Sequence, residues 1–289
     1  MILIVESGAT KTDWLALEGA GSRVSVKTGG MNLASIPEDV VRGVVEEAAA
    51  GFLEKGISRF DRIHFYAAGL IFQSSESIPS IAINLDKVLR SLFPEAMIEY
   101  ASDTLAAARA VCGHEKGIAA ILGTGSNSCL FDGEKIIGNI RSGGFILGDE
   151  GGAARLGRMF MADFLKGLVP EPVSREFAED FEVDYMTVVK NVYKGETPAA
   201  YLGSFAPWIM AKYDLSEYVK ELVDSNFRDF FERVLTRYGT DSLPVGVVGG
   251  FGYANRDILM RLAEPYGIKF SKIIKAPVEG LVDFHSGRV

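Results

Sequence analysis

The sequence predicts an α/β protein of two domains built on one plan. Three observations carry this expectation. The chain has 289 residues, more than one domain of ordinary size. Short apolar runs alternate with longer segments of helical periodicity along most of its length. Each half also opens alike, with a strand, a turn of small and hydroxyl-bearing residues, a second strand, a turn and a third strand. The composition, 48% hydrophobic and 24% charged, suits a soluble protein with a substantial core.

The first half begins with the apolar run Ile2–Val5, closed by Glu6. Ser7, Gly8, Ala9, Thr10, Lys11, Thr12 and Asp13 follow before Trp14–Leu17 resumes the apolar pattern, which reads as a β-hairpin. Small residues let backbone N–H groups approach an anion, and the hydroxyls and the Lys11 ammonium add donors. The Glu6 carboxylate beside them suits a Mg²⁺ ion riding on phosphates. The same residues also make an ordinary polar hairpin tip, and this stretch alone leaves both readings open.

Arg23–Thr28 alternates as a third strand and runs into Gly29, Gly30, Met31 and Asn32. Pro37 opens a helix to about Lys55, with Val40, Val41, Val44, Val45, Ala48 and Phe52 on one face. Arg62–Ala68 is a buried strand, a helix is expected near Ile78–Leu92, and Met97–Tyr100 is a short strand. Ser102 and Asp103 then cap the Ala-rich helix Thr104–Cys112.

The second half opens with the strand Gly117–Leu122 and a turn spanning Gly123, Thr124, Gly125, Ser126, Asn127 and Ser128. Cys129–Phe131 is the next strand, Asp132-Gly133 a turn, and Lys135–Ile140 a third strand. The Gly-dense stretch 142–152 leads into a helix at Ala153–Lys166. Residues from about 173 to 238 show only helical periodicity and no chemical motif, and are read as an insert. Val245–Val248 is a buried strand ending in the turn Gly249–Gly252. A helix at Asn255–Tyr266, a strand at Lys272–Ile274 and a helix at Pro277–His285 complete the order. The expected domains are 1–113 and 114–289, with a hinge near Cys112–Lys116 and the last helix, 277–289, packing back on the first domain.

The formal net charge of −8 argues against a nucleic-acid partner. Two cysteines, Cys112 and Cys129, in no C-x-x-C pair, argue against a zinc ribbon or disulfide scaffold. No basic segment with a following apolar run and no bilayer-length apolar stretch is present, so the expected location is cytoplasmic with no membrane partner.

Three glycine turns, each after a strand, point together to a nucleotide. The hairpin turns in the two halves would cradle phosphates, and glycines at 249–252 would let a flat adenine lie against backbone. With these motifs in order, the chain resembles the BadF/BadG/BcrA/BcrD-type ATPase and N-acetylglucosamine kinase family of the actin/hexokinase/Hsp70 ATPase superfamily. The residues that carry the resemblance are Ser7–Asp13, Ser102-Asp103, Gly123–Asn127, Gly143–Phe145 with Gly148–Gly151, and Gly249-Gly250. The resemblance implies two ribonuclease H-like (actin-like ATPase) domains with an interdomain nucleotide cleft, ATP and Mg²⁺ as cofactors, a sugar substrate, and a homodimer. By resemblance, Asp103 is the catalytic base. ATP is expected at Ser7, Gly8, Ala9, Thr10, Lys11, Thr12, Gly123, Thr124, Gly125, Gly249 and Gly250. The sugar is expected at Asn32, Asp103, Thr124, Asn127, Gly144, Phe145 and Asp149.

Physical chemistry supports part of this beside the resemblance. A helix N-terminus favours an ionised Asp103, and an ionised carboxylate can accept a hydroxyl proton as that oxygen attacks a γ-phosphate. The chain departs from the family at Glu6, where Asp is usual. The extra methylene shifts the carboxylate by about one C–C bond, which an octahedral Mg²⁺ site would feel as altered metal preference. An N-acetylglucosamine kinase is the leading reading. An activator ATPase for a dehydratase or reductase and a non-catalytic nucleotide or sugar sensor stand as alternatives, and the zinc-binding cysteines of ROK sugar kinases are absent.

Overall fold

The computed structural model describes residues 1–8, 11–18, 22–31, 33, 37–70, 82–240 and 242–287. The chain divides into two units: residues 1–114, 133–135 and 277–289, and residues 115–132 and 136–276. Each unit carries a five-stranded mixed sheet.

In the first unit the strands are β1 (Ile2–Ser7), β2 (Lys11–Glu18), β3 (Ser22–Gly29), β4 (Arg62–Ala67) and β5 (Met97–Ser102). They lie in the order β3-β2-β1-β4-β5, with β1, β4 and β5 parallel and β2 and β3 antiparallel to their neighbours. Strand alternation sends Leu3, Val5, Trp14, Ala16, Ile63 and Phe65 to one face. Helices α1 (Glu38–Leu53) and α2 (Ile83–Leu92) cover that face. Helix α1 presents Val41, Val45, Ala48 and Phe52, the i, i+4, i+7, i+11 stripe read from the sequence. Phe60 sits edge-on to both Phe52 and Phe93, at 5.3 and 5.2 Å between ring centroids. Residues 78–81, where the second helix was expected to start, lie outside the described residues.

The opposite face, with Ile4, Glu6, Asp13, Leu15, His64 and Tyr66, receives α3 (Asp103–Cys112) and a helix from the far end of the chain.

The second unit repeats the topology. Its strands are β6 (Gly117–Leu122), β7 (Ser126–Phe131), β8 (Ile136–Gly138), β9 (Val245–Val248) and β10 (Phe270–Ile274), in the order β10-β9-β6-β7-β8. Strands β6, β9 and β10 are parallel and β7 and β8 antiparallel, so each strand of one sheet has its counterpart in the other. The predicted α/β class and duplicated plan are therefore both present. Helices α4 (Gly144–Leu147), α5 (Ala153–Phe164), α6 (Val173–Asp180), α7 (Tyr185–Tyr193), α8 (Pro198–Gly203), α9 (Ala206–Ala211) and α10 (Glu217–Arg233) come between β8 and β9. Helices α11 (Gly250–Ala254) and α12 (Arg256–Ala263) join β9 to β10, and α13 (Val278–Ser286) ends the order. The predicted insert packs as an aromatic cluster: Phe177 lies 4.8 Å from both Phe160 and Phe164 and 5.1 Å from Trp208.

Several boundaries differ from the sequence reading. Strand β7 begins at Ser126, because Leu122 already pairs with Ser126 in the tight β6–β7 hairpin. The turn shrinks to Gly123–Gly125, and Asn127 becomes a strand residue. The expected turn at 249–252 is mostly helix, since α11 starts at Gly250. The stretch 142–152 contains the one-turn helix α4, which opens on the left-handed glycines Gly143 and Gly144 and closes at Gly148.

Candidate active site

In open α/β sheets, ligands gather where parallel strands end. In the first unit those ends are Ser7, Ala67 and Ser102. The β1–β2 turn is closed by the Gly8 N–H donating to the Lys11 carbonyl at 2.9 Å. Ser7 and Thr12 are fully buried, their hydroxyls 2.8 Å apart. Thr12 donates to the Gly29 carbonyl, and the Met31 N–H donates to the Ser7 oxygen. These two hydroxyls stitch the hairpin to the end of β3. They do not point outward as the phosphate donors expected from the sequence, because each hydroxyl has one proton and both protons are used inside. Ala9, Thr10 and Asn32 lie outside the described residues.

Lys11 keeps an exposed ammonium, paired with the Asp13 carboxylate at 2.5 Å. Asp13 stands directly across from Glu6 in the β1–β2 register, on the sheet face that carries α3. Burial pushes the Glu6 carboxyl up to about 7. Lys11 opposes this rise, while the charges of Asp13 and Asp103 add to it. Glu6 thus lies within electrostatic reach of two other carboxylates. Asp13 was missed as a site residue in the sequence. Its signal was positional: across a tight hairpin, the residue after Thr12 had to face Glu6.

Asp103 is the first residue of α3. The cap is Ser102, whose hydroxyl accepts from the Leu105 N–H at 3.1 Å. Asp103 therefore has no capping task. Its carboxylate accepts from the Thr104 N–H at 2.7 Å and the Thr104 hydroxyl at 3.2 Å. The expectation that the helix N-terminus would set its charge is corrected here: burial raises the carboxyl, outweighing these hydrogen bonds. A carboxylate with raised proton affinity is a stronger base than a solvated one.

In the second unit the ends of β6 and β9 are neighbours, with Ile121 paired to Val248. The tip Gly123-Thr124-Gly125 turns its carbonyls toward α5: Ala153 N–H donates to Gly123 at 3.0 Å and Ala154 N–H to Thr124 at 2.8 Å. The Thr124 side chain is exposed at the tip. A Cβ on Gly125 would stand 2.7 Å from an Asp149 carboxylate oxygen, so this glycine lets the carboxylate reach the loop. Asp149 is buried and has φ +54°, the one non-glycine residue with positive φ among the described residues. Burial raises its carboxyl, against the Ser126 N–H and the Ser142 hydroxyl. Neither Asp149 nor Glu150 caps α5, which has no side-chain cap; Glu150 pairs with Arg155 at 3.1 Å.

Gly249 and Gly250 separate into two roles. Gly249 has φ +131°, and a Cβ there would run into the Leu122 carbonyl oxygen; it is a packing glycine. Gly250 has open space where its Cβ would be, as do Gly123 and Gly144. The Asn127 carboxamide oxygen accepts from the Ser128 N–H at 2.9 Å. Phe145 is partly buried against the core of its unit, while Ile146 and Leu147 beside it are exposed. Cys129 is fully buried on β7, where it can reach no surface cluster.

No group of three or more His, Cys, Asp or Glu side chains forms a metal cage among the described residues. Mg²⁺ needs no such cage, since one or two carboxylates plus water and phosphate oxygens satisfy it. Glu6 and Asp13, hard oxygen donors facing each other with like charge, fit that requirement.

No protein-family model and no curated protein matches the chain. Solved structures do. A "putative N-acetylglucosamine kinase" from Porphyromonas gingivalis is 36% identical over 99% of both chains, with a TM-score of 0.89. The chain belongs to the family of that Porphyromonas protein. A second "putative N-acetylglucosamine kinase", from Chromobacterium violaceum, shares 18% identity over 98% of both chains with a TM-score of 0.76. Hexokinase from Schistosoma mansoni complexed with glucose shares 12% over 99% of this chain and 85% of its own, with a TM-score of 0.54. These last two extend the family's fold to hexokinase-type, actin-like architecture.

Proposed function

We propose that the protein is an ATP-dependent kinase that phosphorylates a hydroxyl of N-acetylglucosamine or a close amino sugar. The observation that carries the reading is Asp103: a partly buried carboxylate of raised proton affinity just past the end of the parallel strand β5, relieved of capping by Ser102. Its likeness to the Porphyromonas protein supplies the substrate class. The order of motifs further supports membership of the BadF/BadG-type branch.

Phosphoryl transfer needs positioning and charge stabilisation more than covalent chemistry. In this reading Asp103 accepts the proton of the attacking sugar hydroxyl. The Thr104 N–H and hydroxyl fix its carboxylate for that approach. Asp149 accepts a hydrogen bond from another sugar hydroxyl. The open glycines Gly123 and Gly250 let phosphate and adenine approach the backbone. Lys11 turns from Asp13 to phosphate when the nucleotide arrives. Glu6 and Asp13 would hold Mg²⁺, which neutralises the charge that develops on the phosphates.

A cytoplasmic homodimer belongs to the same proposal, resting on the family; no described helix is long and apolar enough to cross a membrane. Light scattering after gel filtration tests the dimer. The function is tested by ADP release from ATP and Mg²⁺ with N-acetylglucosamine, glucosamine, glucose, N-acetylmannosamine or no sugar, for wild type and Asp103→Ala. Sugar-dependent release lost in the variant is expected. Release indifferent to every sugar refutes the reading.

A further inference from the structure

The helical stretch 173–238 offered no motif, yet one of its side chains reaches the loops described above. Asn226 on α10 is fully buried. Its carboxamide oxygen accepts from the Gly151 N–H at 3.1 Å, and its amide nitrogen donates to the Gly152 carbonyl at 3.2 Å. Both polar ends of one side chain are thus spent on two adjacent residues of backbone.

That backbone is in turn the support for the loops. A Cβ on Gly152 would stand 2.9 Å from the Gly125 carbonyl carbon and 3.0 Å from the Thr124 oxygen. Gly151, at φ +78°, leaves no room for a Cβ between Phe230 of α10 and Leu122 of β6. The Gly152 N–H closes a turn onto the Asp149 carbonyl at 2.9 Å. Asp149 in its left-handed conformation and the Gly123–Gly125 tip therefore lean on one segment, and Asn226 ties that segment to α10. We infer that Asn226 is a positioning residue: without touching a ligand, it sets Asp149 and the 123–125 tip through the 151–152 backbone. The inference deepens, and rests on, the sugar-kinase reading.

The test compares four proteins. Asn226→Leu keeps the branched shape and removes both hydrogen bonds. Asn226→Asp, once protonated, restores an acceptor and a donor in the same place. Phe177→Leu, at a fully buried position in the aromatic cluster, serves as a control for general loss of stability. Asn226→Leu is expected to raise KM for the sugar and lower kcat, cutting kcat/KM by roughly 10- to 100-fold, because small misplacements at a distance are costly in a reaction that depends on positioning. Asn226→Asp is expected to recover relative to wild type at the same pH as the pH falls. Phe177→Leu is expected to keep wild-type KM values. Wild-type constants for folded Asn226→Leu, or equal losses in Phe177→Leu at equal stability, overturn the inference. Should Asn226→Leu fail to fold, the pH dependence of Asn226→Asp decides, and a ratio that does not change with pH overturns it.

If wild type transfers phosphate to no sugar, the kinase reading is what has failed. Hydrogen exchange at the Gly152, Ala153 and Ala154 amides then judges Asn226. Loss of protection in Asn226→Leu beyond that in Phe177→Leu supports the positioning role, and equal protection refutes it.

Discussion

Glu6→Gln isolates the electrostatics of the first unit. The change is nearly isosteric and removes a charge that burial disfavours. Below pH 4.5 the Glu6 carboxyl is protonated in both folded and unfolded chains, and the variant should match wild type. Between 4.5 and about 7 the folded protein binds the proton and the unfolded chain releases it, so wild-type stability falls as pH rises through that window. Above about 7 the full cost is present. At about 1.4 kcal/mol per tenfold change in proton affinity, a rise from 4.5 to about 7 amounts to about 3 kcal/mol. Glu6→Gln should therefore be more stable than wild type by about 3 kcal/mol at pH 8.5, a difference that closes toward pH 5. The assay is urea unfolding followed by Trp14, which lies edge-on to Phe65 in the first unit's core, in a Trp208→Phe background. Magnesium nucleotide at pH 8.5 should stabilise wild type more than the variant, since the metal would restore the value of the ionised carboxylate. Stability curves that run parallel from pH 5 to 8.5 would refute the burial argument for Glu6.

Three further outcomes are expected. Asp103→Asn should lower kcat by about 10²–10⁴-fold with no loss of thermal stability, whereas Ser102→Ala, which removes the α3 cap, should cost about 1 kcal/mol; calorimetry and turnover together separate the two. Gly249→Ala should destabilise the second unit, because of its φ of +131° and the Leu122 carbonyl, while Gly250→Ala should leave the melting temperature unchanged and weaken nucleotide binding, as read by titration calorimetry. The His285 imidazole is held down to about 3, first by burial and then by the charges of His64 and Arg109, so the folded protein binds fewer protons than the unfolded chain between 3 and 6.5. Stability should accordingly drop as pH falls from 6.5, and His285→Gln should flatten that limb in an acid-unfolding series.

The sheets were legible because their strands alternate, as with Leu3 and Val5 inward and Ile4 and Glu6 to the other face. The α1 stripe and the Ser102 cap were legible for equally local reasons. The site was less so. Sequence shows that Ser7 and Thr12 carry hydroxyls, but their direction depends on which strand face is covered, and here they face the core. The charge of Asp103 looked settled by the helix end, whereas burial in the folded chain decides it. Asn226 gave no signal at all, since a polar residue in an amphipathic helix normally marks the solvent side; only the packing of α10 against Gly151 reveals its partners.

Helix α13 has a consequence for how the protein is made. It follows the whole second unit in sequence yet packs on α3, β1 and β2 of the first. Gly280 sits against the Ala110 backbone, Glu279 pairs with Arg23 at 2.5 Å, and His285 stacks on His64 at 3.7 Å while its Nε2 shares a 2.8 Å hydrogen bond with the Tyr66 hydroxyl. A ribosome releases residues 1–114 long before residue 278 exists. During that interval the face has only α3 to cover it, and the part on β1 and β2 where α13 packs must wait open. A truncation before Pro277 would thus injure the beginning of the protein rather than its end.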